Sequence, residues 1–251
     1  MISAYHRPQT LEEALRLLAI PNTLPLGGGT KLNSPAFKER DFAVVDLQNL
    51  GLHQITMSGS ILNIGATARL QALQESDAIP PALKQAIQQE APLNLRNAAT
   101  VAGTLVTADG RSSFGTAMLA LDAKLTLLRD QPAIISLSEY WALRPTGLIT
   151  QISIPLNVKF AYEQVARTPA DVPIVCTALA QWKSGRTRLA LGGYGATPLL
   201  ALDGTEAEGL EVAAQNAFYE AGDAWASAEY RREVAATLAQ RCLQRLNSMQ
   251  H

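Results

Sequence analysis

The order of helical and strand-like segments along the chain is the feature that most restricts its fold. Apolar residues repeat at helical spacing over Leu11–Leu18, after a capping box formed by Thr10 and Glu13. The pattern then changes to short apolar runs, such as residues 42–47, that are typical of buried strands. Helices and strands follow one another without the regular βαβ alternation of a doubly wound sheet. The sequence therefore predicts an α+β protein.

The remaining elements follow from the same patterns. Further strands are predicted at Thr23–Leu26, 61–64, Lys124–Leu128, 133–137, 149–154, 162–166, 174–182 and 187–193. Helices are predicted at Pro81–Glu90, 114–121, 209–219 and 227–246, together with a helix capped by Thr67 and an irregular segment at 91–99. A new β-rich unit begins after Pro155-Leu156-Asn157. We therefore place a domain boundary there, which gives domains 1–156 and 157–251 and agrees with the size of 251 residues.

Charge and cysteine content exclude several classes of function. The formal net charge is -1, whereas a protein that binds nucleic acid or an anionic membrane normally carries a basic stripe. No apolar run approaches the length of a membrane span, and the N-terminal residues lack a secretory signal pattern, so we expect a cytoplasmic protein. Cys176 and Cys242 are far apart, and with only three histidines the chain offers no metal site. We expect both thiols to be buried.

Two segments carry residues suited to binding a phosphate. Gly27-Gly28-Gly29-Thr30 follows a predicted strand, and its closely spaced backbone N–H groups can surround an anion, although a tight turn explains the glycines equally well. The segment 100–107 is rich in threonine and small residues, and Ser112 and Ser113 follow it at the start of a predicted helix, where free N–H groups favour an anion. A threonine-rich strand that leads into a capped helix accounts for this segment as well.

Several collinear stretches resemble one family. L-G-G-G-T-K-L at 26–32 is followed by V-V-D-L at 44–47, and R-N-A-A-T-V-A-G-T-L at 96–105 is followed by A-M-L-A-L-D-A at 117–123. Similarity continues at Arg167 with Ala170-Asp171, at A-L-G-G in 190–193, at Thr197-Pro198 and at A-S-A-E-Y-R-R in 226–232. These stretches look like the flavin subunits of molybdopterin dehydrogenases, which include the medium subunits of carbon monoxide dehydrogenase and bacterial xanthine dehydrogenases.

The resemblance implies an FAD-binding domain of two subdomains, at about 1–53 and 54–156, and a smaller C-terminal domain of a β-sheet and helices. It also implies that two loops grip the FAD pyrophosphate. By position, the residues that would contact FAD are Leu26, Gly27, Gly28, Gly29, Thr30, Lys31, Leu32, Gly103, Thr104, Thr107, Ser112 and Ser113.

The family also implies a role and partners. Its flavin subunit is an electron relay, in which a molybdopterin-binding large subunit oxidises the substrate and a [2Fe–2S] small subunit passes electrons to the flavin. The flavin then reduces NAD⁺, a quinone or another acceptor. We therefore expect no catalytic residue that transfers protons. Arg167 and Asp171 are explained as well by a structural ion pair, and Tyr162, Trp182 and Trp225 by packing.

Five positions depart from the family pattern, and one of them is Gln164, which stands where many relatives carry Lys. Lys31 stands where an acidic residue is usual, Ala102 replaces a glycine, Thr104 replaces a frequent Asn, and Ser113 replaces a frequent Asp that helps to orient the cofactor. Ala102 would be incompatible with a loop that needs a positive φ. These departures leave open a structural subunit of a similar complex that has lost FAD. The two loops, taken alone, also allow a module that binds another phosphorylated ligand.

Overall fold

The computed structural model describes residues 2–37 and 40–249, and its first unit is a small parallel sheet. The strands are β1 (Ile2–His6), β2 (Thr23–Leu26) and β3 (Phe42–Asp46), in the order β1-β3-β2. Helix α1 (Leu11–Leu18) connects the first two strands, and its first turn is capped by the Thr10 hydroxyl, which accepts from the Glu13 backbone N–H at 3.2 Å. All three strands are parallel, so β2 and β3 end at the same edge of the sheet.

The second unit is an antiparallel sheet with the order β4-β5-β8-β6-β7. Its strands are β4 (Ile55–Ser58), β5 (Ile61–Gly65), β6 (Lys124–Leu128), β7 (Pro132–Ser136) and β8 (Leu148–Pro155). Its helices are α2 (Leu70–Glu75), α3 (Pro81–Glu90), α4 (Leu93–Arg96), α5 (Val101–Thr107), α6 (Ser113–Ala120) and α7 (Leu137–Leu143). Every residue of α6 is buried, because the helix packs against α3 on one side and against the strands of the third sheet on another.

The third unit is an antiparallel sheet with the order β12-β11-β10-β9, covered by helices on both faces. Its elements are β9 (Val158–Val165), β10 (Val175–Trp182), β11 (Thr187–Gly192), β12 (Leu199–Gly204), α8 (Leu210–Ala217) and α9 (Ala228–Ser248). Alternate residues of β10 face opposite sides: Cys176 and Ala178 join the core around α3 and α6, whereas Val175 and Leu179 join the core beneath α8 and α9. This double coverage explains why residues 175–180 are all buried and why apolar side chains occur on both faces of β10 instead of alternating with exposed polar ones.

The α+β fold is confirmed, and so are most of the predicted elements. β8 ends at Pro155 and β9 begins at Val158, on either side of the predicted boundary, but one hydrophobic core continues across it. The division into two domains remains a prediction. Both cysteines are fully buried, as expected.

Some local predictions were wrong. Thr67 does not cap a helix, because α2 begins only after Arg69. The segment 91–99, which was predicted to be irregular, contains the one-turn helix α4. Residues 101–107, for which a strand was one of two open interpretations, form helix α5. Strands β1, β4 and β12 and helix α7 were not predicted; the three strands are largely exposed and therefore lack the apolar pattern of buried strands. Within the residues that the structure describes, no helix is both long and apolar enough to cross a lipid bilayer.

Candidate functional site

The triple-glycine loop leaves the parallel sheet at the carboxyl end of β2. Ligands of open sheets with parallel strands bind outside this edge, because loops and unpaired backbone groups gather there. Gly29 has a φ of 70°, a left-handed conformation that favours glycine at this turn. The Leu47 N–H donates to the Leu26 carbonyl at 3.0 Å, which holds the loop beside the end of β3. This hydrogen bond therefore fixes the start of the glycine loop relative to β3.

The second predicted loop packs directly against the first. A Cβ atom on Gly28 would lie 1.9 Å from the Ala98 carbonyl oxygen, and one on Gly27 would lie 2.8 Å from the Thr100 hydroxyl, so both positions require glycine for close approach. Arg69 reinforces the contact, because its guanidinium donates to the same Ala98 carbonyl. The two segments that the sequence analysis singled out, 70 residues apart, thus form one wall.

Two neighbouring cavities open beside this wall. The first, which we name the glycine-loop cavity, has a volume of about 260 Å³. Its apolar wall is formed by Leu24, Pro25, Leu47, Val106, Leu148 and Ile149. The second, which we name the Glu90 cavity, has a volume of about 210 Å³ and contains polar side chains from α3, α5 and the segment before α6. Thr30, Lys31 and Thr107 line both cavities, so the two cavities meet at these residues.

Most of the predicted site residues border these cavities. Those that line the glycine-loop cavity are Gly27, Gly28, Gly29, Thr30, Lys31, Leu32, Gly103 and Thr107. Thr104 and Ser112 line the Glu90 cavity. Leu26 and Ser113 line neither of the two; Ser113 is buried, and its hydroxyl donates to the Gln164 side chain at 3.3 Å. The structure therefore brings ten of the twelve predicted residues to one connected site.

The hydroxyl groups of α5 face the site mainly as acceptors. Thr104 donates its hydroxyl proton to the Thr100 carbonyl at 3.0 Å, and Thr107 donates to the Gly103 carbonyl at 2.9 Å. Each hydroxyl retains lone pairs for a ligand but has used its single proton within the helix. The geometry therefore favours these hydroxyl groups as hydrogen-bond acceptors rather than as donors to a phosphate. Ala102 is an ordinary helical residue of α5, so the concern that this position needs a positive φ was wrong.

The N-terminus of α6 already holds an anionic group of the chain itself. The Glu90 carboxylate accepts from the Ser112 hydroxyl at 2.9 Å and from the Phe114 backbone N–H at 2.8 Å. The Ser112 hydroxyl also caps the helix by accepting from the Gly115 N–H at 2.9 Å. Burial raises the pKa of the Glu90 carboxyl, and these hydrogen bonds partly oppose that rise. Ser112 thus positions Glu90, in the place where the sequence analysis expected a phosphate.

Glu90 was missed by the sequence analysis. Its partner Ser112 lies 22 residues further along the chain, and a glutamate at the end of an amphipathic helix gives no local signal of such a contact. The contact between Glu90 and Ser112 is therefore visible only in the tertiary structure.

The other candidate side chains lie outside the two cavities. Arg167 and Asp171 form an ion pair at 3.7 Å on the surface, as the structural interpretation expects. Tyr162 is a fully buried core residue. Trp225 is 42% exposed and lies between the guanidinium groups of Arg111 and Arg167, at 4.1 and 4.5 Å from its ring. These contacts account for the side chains without a cofactor.

Comparison with known proteins identifies the family. A model of the FAD-binding domain in molybdopterin dehydrogenases matches residues 1–157. The chain is 29% identical to the protein YgfM of Escherichia coli strain K12, over 95% of this chain and 94% of that protein. It is 27% identical to the carbon monoxide dehydrogenase medium chain of Afipia carboxidovorans, over 96% of this chain and 95% of that one. The solved structure of reconstituted CO dehydrogenase from Oligotropha carboxidovorans matches with a TM-score of 0.83 at 27% identity, covering 98% of this chain and 97% of that one.

The fold and the two joined loops thus define a flavoprotein module of an oxidoreductase. This chain belongs to the family of FAD-binding domains in molybdopterin dehydrogenases, and FAD is the cofactor of that family.

The residues present fit this cofactor. The glycine loop supplies backbone N–H groups, and Lys31 supplies an ammonium group that has no hydrogen-bond or ion-pair partner among residues 2–37 and 40–249. Together the two cavities reach the range of about 300–1,000 Å³ that is usual for small-molecule sites. An apolar cavity next to a junction that carries this ammonium group suits a ligand with an aromatic base and a diphosphate, and FAD contains both.

Proposed function

We propose that this chain relays electrons within a molybdenum hydroxylase-type complex. In this proposal a [2Fe–2S] small subunit delivers electrons that a molybdopterin-binding large subunit has removed from the substrate. NAD⁺ or another acceptor then takes them from this chain. Bound FAD supplies the exchange between single electrons and electron pairs, since it can carry either. The likeness to a chain named as a medium chain supports a place among several subunits.

The observation that carries the proposal is the contact between the two loops. Gly27 and Gly28 pack against Thr100 and Ala98, and the same loop continues into Thr30 and Lys31, which line both the apolar cavity and the polar one. An extended ligand with a diphosphate at its centre fits this arrangement, because its diphosphate would lie where the cavities meet and one end would lie in each cavity. A ligand that consists of a phosphate and one base would leave one of the cavities empty.

In the proposed site each group of residues has its own task. The glycine loop and Lys31 bind the diphosphate, because N–H dipoles and an ammonium group compensate its charge. The apolar wall that includes Leu24, Val106 and Ile149 excludes water from the adenine. The chain's own residues bind and orient the cofactor and do not transfer protons to a substrate.

The visible spectrum of the purified protein tests FAD binding. We expect a flavin band near the usual ~450 nm that bleaches on reduction with dithionite. Protein that is colourless and stays so after incubation with FAD would contradict the proposal and would support a structural subunit that has lost the cofactor. The released cofactor is identified by chromatography as FAD rather than FMN.

A second experiment tests the relay and its acceptor. Under anaerobic conditions NADH should bleach the bound flavin at a rate that depends on NADH concentration, because electron transfer between flavin and nicotinamide runs in both directions. Bleaching by dithionite but not by NADH would exclude NAD⁺ as the acceptor. Molybdenum and iron in a complex isolated through a tag on this chain would support the two partners, and their absence from a complex that retains flavin would contradict them.

A further inference from the structure

The Glu90 cavity contains more hydrogen-bond acceptors than a phosphate site can tolerate. The Glu90 carboxylate, the Asp109 carboxylate and the hydroxyl oxygens of Thr104 and Thr107 all border it. The protons of both hydroxyls are directed into α5, to the carbonyls of Thr100 and Gly103. The Arg111 guanidinium, a cation of the same cavity, is paired with Asp223 at 2.6 Å. Away from Lys31, which lies where the two cavities meet, a diphosphate in this cavity would therefore face carboxyl groups and lone pairs.

The hydrogen bonds that hold Glu90 in place leave one of its two carboxyl oxygens available to a ligand. Both of its closest hydrogen bonds, from the Ser112 hydroxyl and the Phe114 N–H, end on Oε2. A carboxylate can accept about four hydrogen bonds, so Oε1 can accept from a group in the cavity. The neighbouring Gln89 has a buried side-chain oxygen with no donor within the described part of the chain. This oxygen could rotate towards a ligand without losing an existing bond.

We infer that Glu90 is a cofactor-binding residue that accepts hydrogen bonds from the hydroxyl-bearing, flavin half of FAD in the Glu90 cavity. The inference rests on the proposed function. It also fixes the orientation of the dinucleotide. Since the Glu90 carboxyl group occupies the N-terminus of α6, the diphosphate lies at the junction formed by Thr30 and Lys31, and the adenine lies in the glycine-loop cavity.

A comparison of two ligands tests this inference. ADP contains the adenine and diphosphate but no ribityl-flavin half, so it should reach the junction without entering the Glu90 cavity. In protein freed of flavin, we expect Glu90→Ala to raise the Kd for FAD about tenfold or more, as for the loss of hydrogen bonds to a charged group. The Kd for ADP should stay within about twofold of the wild-type value, since the bonds that are lost belong to the flavin half alone. Both constants are measured by isothermal titration calorimetry.

The matched control is Gln88→Ala, which makes the same kind of change on an exposed position of α3 and should alter neither constant. If Glu90→Ala does not fold, Glu90→Gln keeps a neutral acceptor for Ser112 and should still weaken FAD about threefold while leaving ADP unchanged, because a neutral acceptor forms weaker hydrogen bonds. Equal weakening of FAD and ADP would overturn the inference, since a purely structural cap affects both ligands alike. Unchanged affinity for both would also overturn it while leaving the proposed function intact. Wild-type protein that binds neither ligand would contradict the proposed function itself.

Discussion

Replacing Gly28 with alanine would add one methyl group at the point where the two loops touch. The added Cβ would lie 1.9 Å from the Ala98 carbonyl oxygen and 2.9 Å from the Arg69 guanidinium, whereas ordinary contact begins at 3.4 Å. The loops must therefore separate by about 1.5 Å along this direction, and backbone atoms cannot give way as a flexible side chain can. Gly28 does not have a positive φ, so the effect comes from lack of space alone.

Overpacking of this kind costs about 1–3 kcal/mol. If most of this cost falls on the site, the Kd for FAD rises about fivefold to a hundredfold, since each 1.4 kcal/mol corresponds to a factor of ten. The share that falls on folding lowers the melting temperature by about 2–4 °C per kcal/mol for a chain of this size. The FAD affinity is measured by calorimetry, and the melting temperature by circular dichroism without FAD.

The control is Gly204→Ala, at the end of β12. There an added Cβ would have its nearest neighbours at 3.9 Å, and the backbone again lacks a positive φ. This variant should bind FAD like the wild type. Wild-type affinity in Gly28→Ala would refute the reasoning, because it would show that the contact between the loops does not set the geometry of the site.

Three further predictions concern the scaffold around the site. Cys176 and Cys242 are fully buried and burial raises the pKa of the Cys176 thiol to about 11, so neither should react with a disulfide reagent at neutral pH until the protein unfolds; labelling of native protein would contradict this. Arg231→Met should lower the free energy of unfolding by about 3–5 kcal/mol in a urea titration, because this fully buried guanidinium donates to three backbone carbonyls and one carboxylate, and a stability loss below 1 kcal/mol would be incompatible with that role. Hydrogen bonding to Arg186 lowers the pKa of Asp203, so its stabilising contribution is present above the ordinary carboxyl pKa of about 3.9 and is lost as the pH falls through the lowered value. The melting temperature of Asp203→Asn should accordingly fall less steeply with acid than that of the wild type, and parallel curves would contradict the assignment.

The elements that were predicted correctly carry their signals locally. The Thr10 cap and the apolar spacing of α1 lie within nine residues, and the apolar run of β10 reports that both its faces are buried. The threonine-rich segment of α5 was ambiguous, because a threonine can line a strand or cap a helix. The contact that resolves it, Thr100 accepting from the Gly103 N–H, forms only once the helix exists.

The residues of the site also differ in how much a local sequence motif reveals about their role. Arg96 belongs to the most family-like motif, yet its side chain is almost fully buried and donates to Gln71 at 2.9 Å and to the Ala91 carbonyl at 2.7 Å. It supports the segment that carries the second loop rather than lining either of the two cavities. A motif thus indicated where the site is but did not separate the residues that face the cavity from those that hold it in place.

By itself the sequence determined the α+β class, because helix caps and apolar periodicity are properties of short segments. Its resemblance to one family, which is carried by short motifs as well, indicated the family and the two loops that line the cavities. Only the tertiary structure decided how the loops meet, that Gly28 lies against Ala98, and that the chain's own Glu90 takes the N-terminus of α6. These contacts join residues that are 22 to 70 positions apart, and their existence depends on how helices and sheets pack rather than on the preference of any one segment.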